Sequence, residues 1–119
     1  MADKQRWQVT LFLKRFRETA ANLFVFAERD TTIATVATLG ITLEEARRCV
    51  LGLAESNYYR GPIPDVRGGE YWEFGVQVHG REVFIKLKVD AANNVATCFS
   101  FHFPDSPIAY PYRRGKEEK

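Results

Sequence analysis

His102 and His79 are the two histidines of the sequence. An imidazole is the side chain best suited to moving a proton near neutral pH. His102 lies near the end of a run of alternating residues, Thr97 to Phe103, which comes after two similar runs carrying Glu73, Lys86 and Lys88. Arg60, Arg81, Lys86 and Lys88 are the cations available to hold a phosphate backbone. Tyr71 and Phe84 offer rings on which bases stack. This set suits cleavage of RNA through the ribose 2′-hydroxyl. That reaction needs a base for the hydroxyl, an acid for the leaving oxygen and positive charge on the phosphorane. The plainer reading of the same residues is a wet sheet face, with Lys86 and Lys88 solvated and Glu73 a cross-strand partner of Lys86. His79 reads as a turn residue.

Other chemistries find no support in the sequence. It holds no HExxH, no acidic metal cluster and no Gly-rich phosphate loop, so neither a metal nor another cofactor is expected. Gly68-Gly69 reads as loop flexibility. Ser100 has no Asp–His relay in chain order, which argues against a hydrolase triad. Cys49 and Cys98 lie inside apolar patterns, away from any CxxC or Cys/His cluster. They read as small buried residues of a reduced compartment. No apolar run is long enough for a membrane span, and Met1 to Arg6 is polar with no signal-peptide core after it. A cytoplasmic protein is expected. The net charge of +2 permits a nucleic-acid partner without requiring one, so a local basic patch would have to hold it.

The elements that must position these residues can be read from periodicity. The 119 residues, 45% hydrophobic, suit one domain over 1–119, with 113–119 a disordered charged tail. Val9, Phe12, Leu13, Phe16 and Ala20 form one helical stripe between about Lys4 and Ala21. Leu23 to Ala27 is short, apolar and extended. Asp30, Thr31 and Thr32 cap a second helix with Ile33, Val36 and Ala37 on its apolar side and Gly40 at its end. Thr42 and Glu45 make a capping box for a third helix that buries Leu43, Ala46, Val50 and Leu53. Tyr59 to Asp65 is a breaker-rich loop.

Beyond it the period becomes two. Trp72, Phe74, Val76 and Val78 alternate with Tyr71, Glu73, Gly75 and Gln77, and His79-Gly80 is a two-residue hairpin turn. Val83, Ile85, Leu87 and Val89 alternate with Glu82, Phe84, Lys86 and Lys88. Thr97, Phe99, Phe101 and Phe103 alternate with Cys98, Ser100 and His102. Pro104, Pro107 and Pro111 end the last strand and keep the chain beyond it extended. The expected fold is α+β, with N-terminal helices packed on an antiparallel sheet of three or more strands and the polar face left to water or a partner. Glu73 falls opposite Lys86. Pairing Val89 with Val95 puts His102 opposite Glu82, with Glu73 four residues along the strand direction, about 13 Å away. Glu82 and Gln77 would then flank the site.

Gly52-Leu53-Ala54-Glu55-Ser56-Asn57-Tyr58-Tyr59-Arg60 resembles the segment after the second short helix of MqsR-type toxins, a family of the RelE-like mRNA interferases. Leu39-Gly40-Ile41, Tyr71-Trp72-Glu73, Val83-Phe84-Ile85-Lys86-Leu87 and Phe99-Ser100-Phe101-His102 fit the same family in order. The resemblance implies a RelE-like fold and a bacterial toxin of a toxin–antitoxin pair. Such a toxin is a metal-independent endoribonuclease that cuts mRNA and is silenced by a cognate antitoxin. A family Lys falls on Arg60, a Gln on Glu73, a Tyr on Phe84 and a Lys on His102. Phe84 stacks but cannot move a proton, whereas Glu73 and His102 gain acid–base capacity. The implied catalytic set is His102, Glu73, Arg60 and Lys86. Phe84, Tyr71, Lys88, Arg81, Glu82, Gln77 and Ser100 are the residues implied to line the RNA path. The alternatives are a non-catalytic RNA-binding module and a protein-interaction module using the open sheet face.

Overall fold

The helical stripe of Val9, Phe12, Leu13, Phe16 and Ala20 forms α1, Ala2–Asn22, and all five side chains are buried. The computed structural model describes residues 2–113, so the expected tail at 113–119 lies outside the described residues except for Arg113, which is half-buried with its guanidinium 3.9 Å over the Tyr110 ring. After α1 the chain enters β1, Phe24–Phe26. Two helices come next, α2 at Arg29–Leu39 and α3 at Leu43–Leu51. Four strands complete the order: β2 at Tyr58–Pro64, β3 at Glu70–Val78, β4 at Arg81–Asp90 and β5 at Val95–His102.

The helix ends obey cap chemistry at two of the three expected points. Gly40 takes φ 75° and closes α2 in the left-handed region. Glu45 N donates to Thr42 Oγ1 at 3.0 Å, and Thr42 N donates to Glu45 Oε1 at 2.8 Å. The expected cap at Asp30, Thr31 and Thr32 is not used. Helix α2 begins at Arg29 after Glu28, which makes no side-chain cap bond. It also turns Thr32, Thr35, Val36 and Leu39 inward, leaving Ile33 and Ala37 outside. Thr35 tolerates burial because its hydroxyl donates to the Thr31 carbonyl at 3.0 Å, and its methyl group then packs as a small apolar surface.

The strands form one mixed sheet in the order β1-β5-β4-β3-β2, under the N-terminal helices. The fold is therefore α+β, with one more pairing type than expected: β1 runs parallel to β5. It is held there by Phe24 and Phe26, which pack edge-on against Phe16 and Phe101. The expected loop from Tyr59 is strand β2. Its prolines are tolerated because β2 is an edge strand, and two register shifts against β3 absorb the irregularity. Among the described residues, no helix is long and apolar enough to cross a membrane.

The β3–β4 hairpin turns at His79 and Gly80, both at positive φ (51° and 80°), and places Glu73 opposite Lys86 as expected. The β4–β5 register differs from the expected one. Val89 pairs with Ala96, and a bulge then shifts the ladder so that Phe84, not Glu82, faces His102. The bulge also reverses the alternation of β5. Ala96 and Cys98 face the core before it and Phe101 after it, all at 0% exposure. Cys98 is thus buried in the core as expected, although alternation alone puts it with Ser100 and His102, whereas Cys49 is only half-buried. Thr97 and Phe99 join Ser100 and His102 on the opposite side.

That opposite face is covered at its Glu82 and Gly75 end. The chain after β5 forms a strap, residues 104–112, laid across it. Glu82 accepts a hydrogen bond from Ile108 N at 3.0 Å and from the Tyr110 hydroxyl at 2.6 Å. Burial and the Glu82 carboxylate together push the Tyr110 phenol well above its ordinary pKa. The Ile108 and Tyr110 side chains lie against Gly75, in the space a Cβ would fill. Tyr112 then stacks on Tyr58 at 5.4 Å, and both rings belong to the core on the other side of the sheet. A Cβ on Gly75 collides with the Tyr110 hydroxyl and Ile108 Cδ1. Gly75→Ala is therefore expected to cost about 1–3 kcal/mol of unfolding free energy. It should also speed hydrogen exchange at Ile108 and Tyr110. Unchanged urea denaturation with equal protection of those amides would contradict this placement of the strap.

Candidate functional site

Directly opposed residues of an antiparallel sheet share a face. Arg60, Glu73, Lys86 and Ser100 therefore form one row across β2, β3, β4 and β5. Gly75, Phe84 and His102 form the next row. His102 is thus offset from Glu73 by two residues along the strands, about 7 Å, instead of about 13 Å. Between the two rows and the strap lies a cleft of about 220 Å³. Tyr59, Arg60, Phe84 and His102 line its sheet side, and the strap from Pro104 to Ile108 forms its wall.

At the cleft, His102 and Arg60 are each held by a neighbour. The His102 ring stacks on Phe84, with centroids 5.3 Å apart and planes 28° from parallel. His102 Nδ1 lies 3.0 Å from the Phe103 carbonyl oxygen. A carbonyl only accepts, so Nδ1 carries the hydrogen, and Nε2 of the neutral ring is left with its lone pair. Glu73 is buried, and its Oε1 accepts from Arg60 Nε at 2.6 Å. Arg60 itself is exposed, lies 4.9 Å from the Tyr59 ring centre, and has its pKa raised further by the bond to Glu73. The expected Glu73–Lys86 pair does not form. Lys86 Nζ instead sits 4.6 Å over the Tyr71 ring.

The remaining residues separate from the cleft. Lys88 Nζ donates to Asp65 Oδ2 and to the Gly68 carbonyl, both at 2.6 Å, which ties it to the β2–β3 loop and not to a phosphate. The Tyr71 ring is half-buried, edge-on to Phe99 and beneath two ammonium groups, and its hydroxyl accepts from Arg67. Arg81 lies 3.8 Å over the Phe103 ring, next to His102 in the chain. Glu82 fastens the strap, Gln77 is exposed beyond it, and Ser100 is buried beside Lys86. Among the described residues, no three His, Cys, Asp or Glu side chains gather where they could hold a metal ion.

Sequence reasoning missed the wall. Its signal was present as Ile108, Tyr110 and Tyr112, apolar at every second position after Pro107. Tyr59 was likewise hidden inside a segment read as loop.

The hydrogen bond from Lys88, joined by one from Arg67 N, holds the Asp65 carboxyl far below the ordinary carboxylate range. The folded-state pKa is depressed, so the pair stabilises fully above the unfolded value of about 4 and fades as pH falls below it. Asp65→Asn is therefore expected to lower the urea midpoint at about pH 7, with the gap to wild type closing below about pH 4. A gap of constant size across that range would refute the assignment.

Comparison with protein-family models, with curated proteins and with solved structures finds no match to this chain.

Proposed function

We propose that this chain is a cytoplasmic endoribonuclease that cleaves mRNA through the ribose 2′-hydroxyl, acting as the toxin of a bacterial toxin–antitoxin pair. The observation that carries the reading is the meeting of Arg60, Phe84 and His102 in one cleft. These are three of the four positions singled out by the resemblance to MqsR-type toxins, and the fourth, Glu73, holds Arg60 in place.

The cleft supplies the parts the reaction needs. His102 Nε2 takes the 2′-hydroxyl proton as that oxygen attacks phosphorus. The bond from phosphorus to the 5′ oxygen breaks, and the imidazolium returns the proton to it. The products are a 2′,3′-cyclic phosphate and a 5′-hydroxyl. Arg60 balances charge on the phosphorane. Phe84 holds the imidazole plane, and Glu73 aims the guanidinium, so Glu73 is a positioning residue rather than the base. Lys86 and Arg81 lie at the margins, where they attract the backbone of a longer RNA. A cognate antitoxin would silence the protein by covering the cleft.

Purified protein is expected to cut single-stranded mRNA in the presence of EDTA and to leave cyclic phosphate ends. His102→Ala is expected to slow cleavage by about 10²–10⁴-fold and to relieve growth arrest on expression. Replacing the scissile ribose by 2′-deoxyribose should abolish cutting. Full activity of His102→Ala, or cleavage of the deoxy substrate, would overturn the mechanism. A second reading, RNA binding without catalysis, is favoured by the engagement of Glu73 with Arg60, which takes one acid–base candidate out of the chemistry. RNA that is bound by Arg60 and Lys86 yet stays intact would select it.

A further inference from the structure

Trp7 is 66% exposed and Leu11 41% exposed, on a helix whose other large apolar side chains are buried. The two are four residues apart and so share one face of α1, with Arg15 four residues further along. A groove of about 370 Å³ opens beside them, between α1 and the β2 edge. Phe12, Pro62 and Trp72 form its apolar floor, with Arg15 and Glu70 contributing opposite charges. This surface therefore carries an apolar knob and an apolar hole side by side. It also carries both signs of charge.

A two-fold contact requires a patch that complements itself. An antiparallel pair of α1 helices with its axis at Leu11 sets Leu11 against its own copy. The same axis sets Trp7, four residues before it, against the partner's Arg15, four residues after it. The pairing joins indole to guanidinium twice over, a favourable contact for both groups. A groove of balanced charge selects neither a strongly acidic nor a strongly basic polypeptide, and an exposed Trp beside an apolar hollow is the composition of an interface centre. We propose that this face joins two copies of the chain, with Trp7 of each seated in the groove of the other. The contact lies on the helical side of the sheet, away from the His102 cleft, and is independent of the ribonuclease reading.

Sedimentation equilibrium of the full chain from about 1 μM to about 1 mM tests the proposal. The expected result is a reversible dimer, which Trp7→Ala or Arg15→Glu weakens by at least about tenfold. At concentrations where the wild type is monomeric, Trp7→Ala should leave Tm unchanged, because that side chain is exposed. The sequence has two tryptophans and Trp72 is buried, so dimerisation should also shift Trp7 emission to the blue and shield it from acrylamide. A wild type that stays monomeric throughout overturns the proposal. So does a dimer of equal strength in Trp7→Ala with emission independent of concentration.

Discussion

Ala96, Cys98 and Phe101 all require the dry side of the sheet, and strict alternation cannot place all three there. The bulge between β4 and β5 resolves the conflict by spending one extra residue between Cys98 and Phe101. Much of the molecule hangs on that single shift. It puts Ser100 beside Lys86 and sets His102 flat against Phe84. It also ends β5 where the chain can fold back over the opposite face. Without the shift, either Phe101 would face water or Cys98 would leave the core.

The row through Glu73 illustrates how a buried carboxylate is tolerated. Its burial would be costly alone, but Arg60 reaches down from solvent to meet it, so the pair is desolvated at one end only. The geometry fixes the guanidinium by its Nε edge while Arg60 lines the cleft. A similar division applies on the neighbouring row, where Phe84 fixes the imidazole plane and the Phe103 carbonyl fixes its tautomer. In both cases a group able to do chemistry is oriented by a neighbour that does none.

The parts of the structure legible in the sequence are those set by local chemistry. Helix α1, the capping box at Thr42 and Glu45, and the hairpin at His79-Gly80 each arise from residues within a turn or two of one another. The β3–β4 register is fixed by that turn. The features that were not legible depend on distant residues. The bulge is invisible in Thr97 to Phe103, because alternating aromatics fit either parity until Cys98 finds its core partners. Strand β2 was masked by Pro62 and Pro64, whose cost vanishes only at an edge. Lys88 read as free charge because Asp65, 23 residues earlier, had no visible reason to meet it. The candidate site was half-visible for the same reason. Arg60, Phe84 and His102 announced themselves by type, while the wall facing them arrives from a segment with no regular structure.

The strap also ties the two faces of the sheet together. It joins the polar face through Glu82 and the core through Tyr112, where Arg6 of α1 lies 5.4 Å over the ring. The first helix and the last described segment are thereby fastened at one place. Removing residues 104–112 would strip one wall from the cleft, bare Gly75 and take the stacking partner from Tyr58. One short segment without regular structure thus closes the cleft on one side of the sheet and completes the core on the other.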